Sequence, residues 1–141
     1  LAIEPMHPAC AASWTFLTDL NATLDLLDTY NSPYLQLALD TYHFPVDRLH
    51  PRVFERVASH LGIVHLGDHV VPHSLDCERC QLGEGNVGLE RSIARLVEAG
   101  YTGDFDVKLL GAAIEGTDYW TTLQNSHRAF SSFTAEFATL K

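Results

Sequence analysis

Carboxylates and an imidazole follow short apolar runs at three places in the chain. Glu4, Asp40 and His65 each stand where a strand-like apolar run ends. Two carboxylates and one imidazole form a mixed oxygen and nitrogen set that suits Mn²⁺, Co²⁺, Mg²⁺ or Zn²⁺ and leaves coordination positions free for a substrate. Any one of them, taken alone, is equally explained as a solvated polar residue at the end of a strand. Their recurrence at matching positions favours a shared, catalytic metal site.

Two further residues are candidates for contacts with a substrate. His43 stands three residues after Asp40, where it could be a ligand, a hydrogen-bond donor to the substrate or a residue that fixes the loop. Arg79 lies in a long polar connection at 67–88, and its guanidinium could bind a substrate hydroxyl or phosphate, or pair with Asp76 or Glu78. The other histidines are expected in surface or loop positions: His7, His50, His60, His69, His73 and His127.

The fourth apolar run ends in a cation. Phe105-Asp106-Val107 leads into Lys108, whose ammonium cannot join a metal shell and would repel a metal ion. Asp106 is two residues earlier, so its side chain is expected on the same face of the strand as that of Lys108. It lies about 6.6 Å deeper along the strand, however, and is a poor substitute for a ligand at 108. Lys108 could instead act as an acid or as a cation that stabilises an enolate, because desolvation lowers the pKa of a lysine.

Four βα units are expected to position these residues. Apolar runs predict strands at 1–3, 34–39, 63–66 and 105–110. Three helices are predicted between them: one capped by Thr18 and ended at Asn31, one from Pro51 to a stop at Gly62, and one from Leu89 to Gly100. A last helical region from Tyr119 to Phe137 is expected to break near 131–132.

This alternation predicts an α/β fold with parallel strands joined by right-handed crossovers. The order fits half of a (β/α)8 barrel, which takes about 250 residues when complete and forms its sites at the C-terminal ends of its strands. An open doubly wound sheet has the same pattern. Because residue 1 already belongs to a strand pattern, we expect residues 1–141 to be a single, incomplete domain.

Composition narrows the class of partner. The 141 residues are 46% hydrophobic and 19% charged, with a formal net charge of −9, which disfavours a surface built for nucleic acid. No apolar run approaches the roughly 18 residues of a membrane span, and the N-terminus lacks signal-peptide features. The three cysteines are expected to be reduced thiols. A small polar substrate and a cytoplasmic location are therefore expected, without membrane or nucleic-acid partners.

The chain resembles the C-terminal half, strands 5 to 8, of the xylose isomerase-like TIM barrels, the sugar phosphate isomerases and epimerases. The resemblance spans essentially all 141 residues. It rests on five segments in their order and spacing: Ile3-Glu4-Pro5, Leu39-Asp40-Thr41-Tyr42-His43, Val64-His65-Leu66-Gly67-Asp68, Arg79-Cys80-Gln81-Leu82-Gly83-Glu84-Gly85 and Gly100-Tyr101-Thr102-Gly103.

The resemblance implies a chemistry for each candidate. A Glu at the position of Glu4 binds the metal and moves a proton, residues like Asp40 and His65 complete the metal shell, and residues at His43 and Arg79 hold substrate hydroxyls. The implied reaction removes a proton beside a carbonyl, with the metal stabilising an enediolate and a second Glu acting from the other face. Lys108 stands in place of that Glu, so Glu4 and Lys108 are the expected catalytic pair.

Three alternatives accompany this hypothesis. Lys108 instead favours a catalytically degenerate barrel that binds a carbohydrate or serves in an assembly, and a metal-dependent lyase is a related possibility. The abasic-site endonucleases share the fold, but Cys77-Glu78-Arg79 stands where they carry an Asp-Arg-His cluster. A half-barrel exposes two sheet edges, so the isolated chain is expected to self-associate and to be inactive alone.

Overall fold

Four parallel strands form a single sheet, in the order β1-β2-β3-β4. The computed structural model describes residues 1–11, 14–70 and 78–135. The strands are β1 (Ala2–Ile3), β2 (Gln36–Asp40), β3 (Leu61–Leu66) and β4 (Phe105–Val107). The helices are α1 (Pro8–Ala11), α2 (Leu20–Tyr30), α3 (Pro51–His60), α4 (Leu89–Glu98), α5 (Ala112–Glu115) and α6 (Tyr119–Thr134), with a 3-10 turn at Val46–Arg48. The predicted alternation of parallel strands and helices is confirmed.

The sheet has one apolar face and one polar face. Leu37, Leu39, Val64 and Leu66 are buried in a core with apolar side chains of α2, α3 and α4. On the opposite face, Asp40 is in register with His65 and His65 with Asp106. Because residues in register on neighbouring strands point to the same side of the sheet, the polar side chains of three strands share that second face.

Several predicted boundaries were wrong by one or two residues. Asp19, rather than Thr18, caps α2, because its side chain accepts a hydrogen bond of 2.8 Å from the N–H of Ala22. Helix α3 ends at His60, because Leu61 already pairs with Leu37 of β2 and strand β3 begins there.

The last quarter of the chain departs most from the prediction. Strand β4 ends at Val107 rather than at residue 110, although the N–H of Lys108 still donates to the carbonyl of Leu66 at 3.0 Å. Helix α6 runs through 131–132 without the expected break, and Phe137 lies outside the described residues.

The four-residue helices α1 and α5 were not predicted. No helix in the described ranges has the length and apolar character needed to span a bilayer.

The carboxylate of Asp68 organises the loop that follows β3. This side chain is 2% exposed, and its Oδ2 accepts the N–H groups of Gly83 and Gly85 at 3.1 and 3.0 Å. Its Oδ1 accepts those of His69 and Val87 at 3.0 and 3.2 Å. A Cβ at position 85 would lie 2.0 Å from Oδ1, so the loop needs glycine there. Asp68 thereby ties the two ends of the connection together and fixes the segment that carries Arg79.

We expect Asp68→Ala to lower the free energy of unfolding by about 3 kcal/mol or more, because it leaves four backbone N–H groups without their charged acceptor. Asp68→Asn, which keeps one carbonyl acceptor, should lose less. Asp25→Ala is the matched control, since Asp25 forms an exposed ion pair with Arg56 and should change stability by less than about 1 kcal/mol. Urea unfolding measures all three, and equal losses for Asp68→Ala and Asp25→Ala would contradict this role.

Candidate active site

The ends of β1, β2 and β3 bring the three predicted ligands together. Glu4 follows β1, Asp40 is the last residue of β2, and His65 is the penultimate residue of β3. One ligand atom from each lies within 4.8 Å of the others. Parallel strands end at the same edge of a sheet, so short apolar runs suffice to place these groups at one point.

Asp40 is fully buried and held as an anion. Its Oδ1 accepts from Arg79 Nη1 at 3.0 Å and from the N–H of Tyr42 at 2.9 Å, and its Oδ2 accepts from Arg79 Nη2 at 2.8 Å. Burial alone would raise the pKa of Asp40, but the hydrogen bonds and charge of Arg79, with the charge of Lys108, outweigh it and lower the pKa to about 2.

Arg79 reaches this site through the loop fixed by Asp68. Its guanidinium lies over the ring of Tyr42, 4.2 Å from the ring centroid, and its backbone N–H donates to the carbonyl of Leu110 at 3.1 Å. The neighbouring Glu78 accepts a hydrogen bond from the N–H of Ala112 instead. Among the described residues, Arg79 therefore pairs with Asp40, which was not among its predicted partners, and the predicted partner Asp76 lies outside the described residues.

Lys108 lies between the two carboxylates. Its Nζ is 2.5 Å from Glu4 Oε1 and 3.3 Å from Asp40 Oδ2. Burial raises the pKa of Glu4, but hydrogen bonds from His65 and Lys108 and the lysine charge produce a net lowering. Both carboxylates are therefore ionised near neutral pH, and an ammonium bridges them.

His65 lies between Glu4 and the next strand. Its Nδ1 is 3.3 Å from Glu4 Oε2, and its Nε2 is 3.9 Å from Asp106 Oδ2. Asp106 is judged from the sequence to be a poor replacement for a metal ligand at 108. In the structure it lies on the Nε2 side of the imidazole, opposite Glu4. At 3.9 Å the carboxylate and the imidazole form no direct hydrogen bond, so Asp106 is a neighbour of His65 rather than its hydrogen-bond partner.

His43 is buried beside the ion pair. It is 2% exposed, and its Nε2 lies 4.0 Å from Asp40 Oδ2. Burial lowers the pKa of His43 from 6.5 to about 4, although the charge of Asp40 acts in the opposite direction. The imidazole is therefore neutral at physiological pH.

His69 lies in the loop after β3, one of the two settings expected for it, but not at the surface. It is buried, and its ring packs edge-on against Tyr42 with 5.3 Å between centroids. The sequence signals neither this contact nor the central position of Tyr42, because both depend on how the loop returns over the sheet.

A cleft of about 700 Å³ opens over the cluster. One part of its wall is polar and includes Glu4, His43, Arg79 and Lys108. The other part is apolar, with side chains supplied by the connections after β1 and β4: Met6, Trp14, Leu17 and Leu110. This apolar wall was not predicted, because irregular connections have no periodicity to indicate where their side chains point. A cleft with convergent polar groups and an apolar side suits a small polar molecule.

The donor set fits a divalent cation. Two carboxylates and an imidazole are usual ligands of catalytic metals, and one donor atom of each lies within 4.8 Å of the others. Lys108 contacts an oxygen of each carboxylate, so it lies within the same group of donors.

Comparisons with known proteins agree with the fold. Residues 1–115 match the family model described as xylose isomerase-like TIM barrel. The IOLI protein, solved with a bound zinc atom, has a TM-score of 0.76 and 19% identity, with 96% of this chain and 49% of that chain covered. A protein from Sinorhizobium meliloti 1021 has a TM-score of 0.74 and 24% identity, with 94% and 49% covered.

A third similar structure is D-psicose 3-epimerase with D-tagatose, from Clostridium cellulolyticum H10. Its TM-score is 0.69 at 16% identity, with 95% of this chain and 48% of that chain covered. The chain thus spans about half the length of these structures, and the predicted half of a TIM barrel is confirmed. A search of curated proteins found no match.

The lowered pKa of His43 predicts a pH dependence of stability. An unfolded chain binds a proton at this residue below about pH 6.5, while the folded protein does so only near pH 4. Keeping His43 neutral therefore costs no stability above pH 6.5, where the unfolded chain is also neutral at this residue. As the pH falls from 7 to 5, the free energy of unfolding should decrease by about 2 kcal/mol, because only the unfolded chain gains the proton.

His43→Gln should make the free energy of unfolding less dependent on pH over that interval, as measured by urea unfolding. His127→Gln, which removes an exposed histidine, should keep the wild-type dependence. The assignment is wrong when the two variants respond to pH alike.

Proposed function

The chain belongs to the xylose isomerase-like TIM-barrel family, and from this premise we propose that it supplies half of the active site of a sugar or sugar-phosphate isomerase or epimerase. The reaction would move a proton at a carbon beside a carbonyl and pass through an enediolate. The observation that carries the proposal is the convergence of Glu4, Asp40 and His65 beneath a cleft also lined by His43, Arg79 and Lys108.

The substrate class follows from the cleft and the relatives. A small sugar matches a cleft with charged and polar groups on one side and apolar side chains on the other. A structurally similar epimerase was solved with D-tagatose, which supports a sugar rather than another polar molecule. Neutral His43 can donate to or accept from a hydroxyl. Arg79 lines the cleft, but both of its terminal nitrogens donate to Asp40, so it would contribute mainly by holding that carboxylate in place.

Glu4, Asp40 and His65 would hold a divalent metal, either Mn²⁺, Co²⁺, Mg²⁺ or Zn²⁺. When bound, this metal supplies a Lewis acid that polarises the substrate carbonyl. A similar structure contains a zinc atom, which supports a metal in this family without identifying the one used here. Arg79 keeps Asp40 ionised.

Proton transfer in this proposal uses Glu4 and Lys108. The carboxylate of Glu4 is ionised, because its pKa is lowered, so it can take the proton from the carbon beside the carbonyl. The ammonium of Lys108 stabilises negative charge as it develops on the enediolate oxygens, and it can return a proton to that intermediate. Lys108 would thus take over work that a second glutamate performs in similar enzymes.

A carbohydrate-binding barrel without turnover is the second candidate. It is favoured by one observation, the ion pair that Lys108 forms with Glu4, since a carboxylate engaged in this way is a weaker base. Binding of a sugar without exchange of its protons would support this alternative.

Proton exchange tests the proposed function directly. Because half of a barrel is expected to be inactive alone, the test uses a complete barrel that contains this chain. Incubated in D₂O with Mn²⁺ and a panel of ketoses and their phosphates, it should replace a C–H hydrogen beside the carbonyl with deuterium, measured by NMR. Glu4→Gln should slow this exchange by about a hundredfold or more, because it removes the base. Glu55→Gln, an exposed position on α3, is the control and should behave as the wild type. No exchange with any member of the panel would contradict an isomerase or epimerase.

We also propose that the protein self-associates through its sheet edges. Among the described strands, β1 and β4 each pair with one neighbour only, which leaves backbone donors and acceptors for another strand. Light scattering should therefore show a dimer or larger species, and a monodisperse monomer would contradict it.

A further inference from the structure

We propose that the ammonium of Lys108 and a divalent metal are mutually exclusive occupants of the space between Glu4 and Asp40, so that a metal binds only when the lysine side chain moves from between the two carboxylates into the cleft that a substrate would occupy. This inference rests on the proposed function, because it concerns the same cluster. It assigns to Lys108 the role of a built-in competitor that holds the two carboxylates in place while no metal is bound.

The coordination capacity of Asp40 is the first argument. A carboxylate has about four lone-pair positions for donors or metals. Arg79 occupies one on each oxygen, and the N–H of Tyr42 occupies a second one on Oδ1. One position therefore remains on Oδ2, and Lys108 Nζ lies 3.3 Å from that oxygen. A metal bound by Asp40 would need the position that Lys108 now faces.

The environment of Glu4 leads to the same conclusion. Its Oε1 accepts from Lys108 at 2.5 Å, and its Oε2 lies 3.3 Å from His65 Nδ1. A metal shared by Glu4 and His65 would come between these two side chains, within the immediate reach of the ammonium. Two cations this close repel each other, because the Coulomb energy rises as their separation falls.

The charge balance of the cluster is the third argument. The carboxylates of Glu4 and Asp40 are already balanced by Arg79 and Lys108, so these four groups together offer no excess negative charge to a divalent cation. A glutamate at 108 would replace one positive charge by one negative charge and leave an excess of two negative charges. That excess matches the charge of the metal, and a neutral residue at 108 would leave an excess of one.

Lys108 has room to leave. Its side chain is 26% exposed and lines the cleft, and a lysine reaches solvent through a flexible four-carbon stem. Arg79 has no such freedom, because its side chain is 1% exposed and is fixed by two bonds to Asp40 and by the ring of Tyr42. Lys108 is therefore the cation that a metal would displace.

Calorimetric titration with Mn²⁺ tests the competition. We expect Lys108→Met to bind Mn²⁺ at least tenfold more tightly than the wild type, and Lys108→Glu to bind it more tightly still. Lys108→Arg, which retains the charge, should show no gain. Arg91→Met removes an exposed cation paired with Asp47 and should leave the affinity unchanged. Circular dichroism checks that each variant is folded, and Lys108→Met retains the test where Lys108→Glu does not fold.

Chemical modification gives a second measurement that does not depend on activity. Lys108 and Lys141 are the only lysines of the chain, so acetylation can be followed at each by mass spectrometry. Saturating Mn²⁺ should accelerate acetylation of Lys108 severalfold, because the displaced amine becomes accessible, and leave the rate at Lys141 unchanged.

The outcomes separate the two proposals. Equal Mn²⁺ affinity of the wild type and Lys108→Met, or acetylation of Lys108 that Mn²⁺ does not change, overturns the competition alone. Absence of Mn²⁺ binding in every variant overturns the competition and the metal site together. Deuterium exchange into a sugar tests the reaction independently of both.

Discussion

The buried carboxylate of Asp40 is the constraint on which the rest of the site depends. Removing a carboxylate from water costs several kcal/mol unless hydrogen bonds and an opposite charge compensate it, and Asp40 is 0% exposed. Arg79 provides this compensation from a loop that lies far away in the sequence. That loop keeps its shape because Asp68 accepts four backbone N–H groups, and the guanidinium of Arg79 rests on Tyr42. The architecture of the loop after β3 is thus tied to the state of one side chain at the end of β2.

Because Arg79 is committed to Asp40, the remaining cation at the site determines what the cluster can bind. Lys108 is the partly exposed member of the group, and it contacts both carboxylates at once. His43 contributes no charge at neutral pH, since burial holds it neutral. The cluster is therefore balanced by its own side chains, with a polar cleft above it and an apolar wall at one side.

The sequence predicts that Glu4, Asp40 and His65 converge, but not which cations pair with the two carboxylates. Apolar runs that end in Glu4, Asp40 and His65 locate strand ends, and parallel strands place their ends at one edge, so these positions follow from pattern alone. The contact of Arg79 with Asp40 spans 39 residues and that of Lys108 with Glu4 spans 104, and both depend on strand register and side-chain rotamers. The boundary between α3 and β3 is likewise decided by strand register. The apolar spacing of Leu61 continues that of α3, so the sequence predicts a helix there, but Leu61 pairs with Leu37 and belongs to the sheet.

Lys108, the residue after β4, is held by the sheet through its backbone and contacts the carboxylates of the site through its side chain. The N–H of Lys108 bonds to the carbonyl of Leu66, so the backbone there continues the pairing of β4 with β3 whatever side chain it carries. This backbone hydrogen bond does not depend on the side chain at 108, while the charge of the cluster differs by two units between a carboxylate and an ammonium there. Backbone hydrogen bonds fix where this side chain enters the site, and its charge decides whether the carboxylates of Glu4 and Asp40 are neutralised from within the chain or by a bound cation.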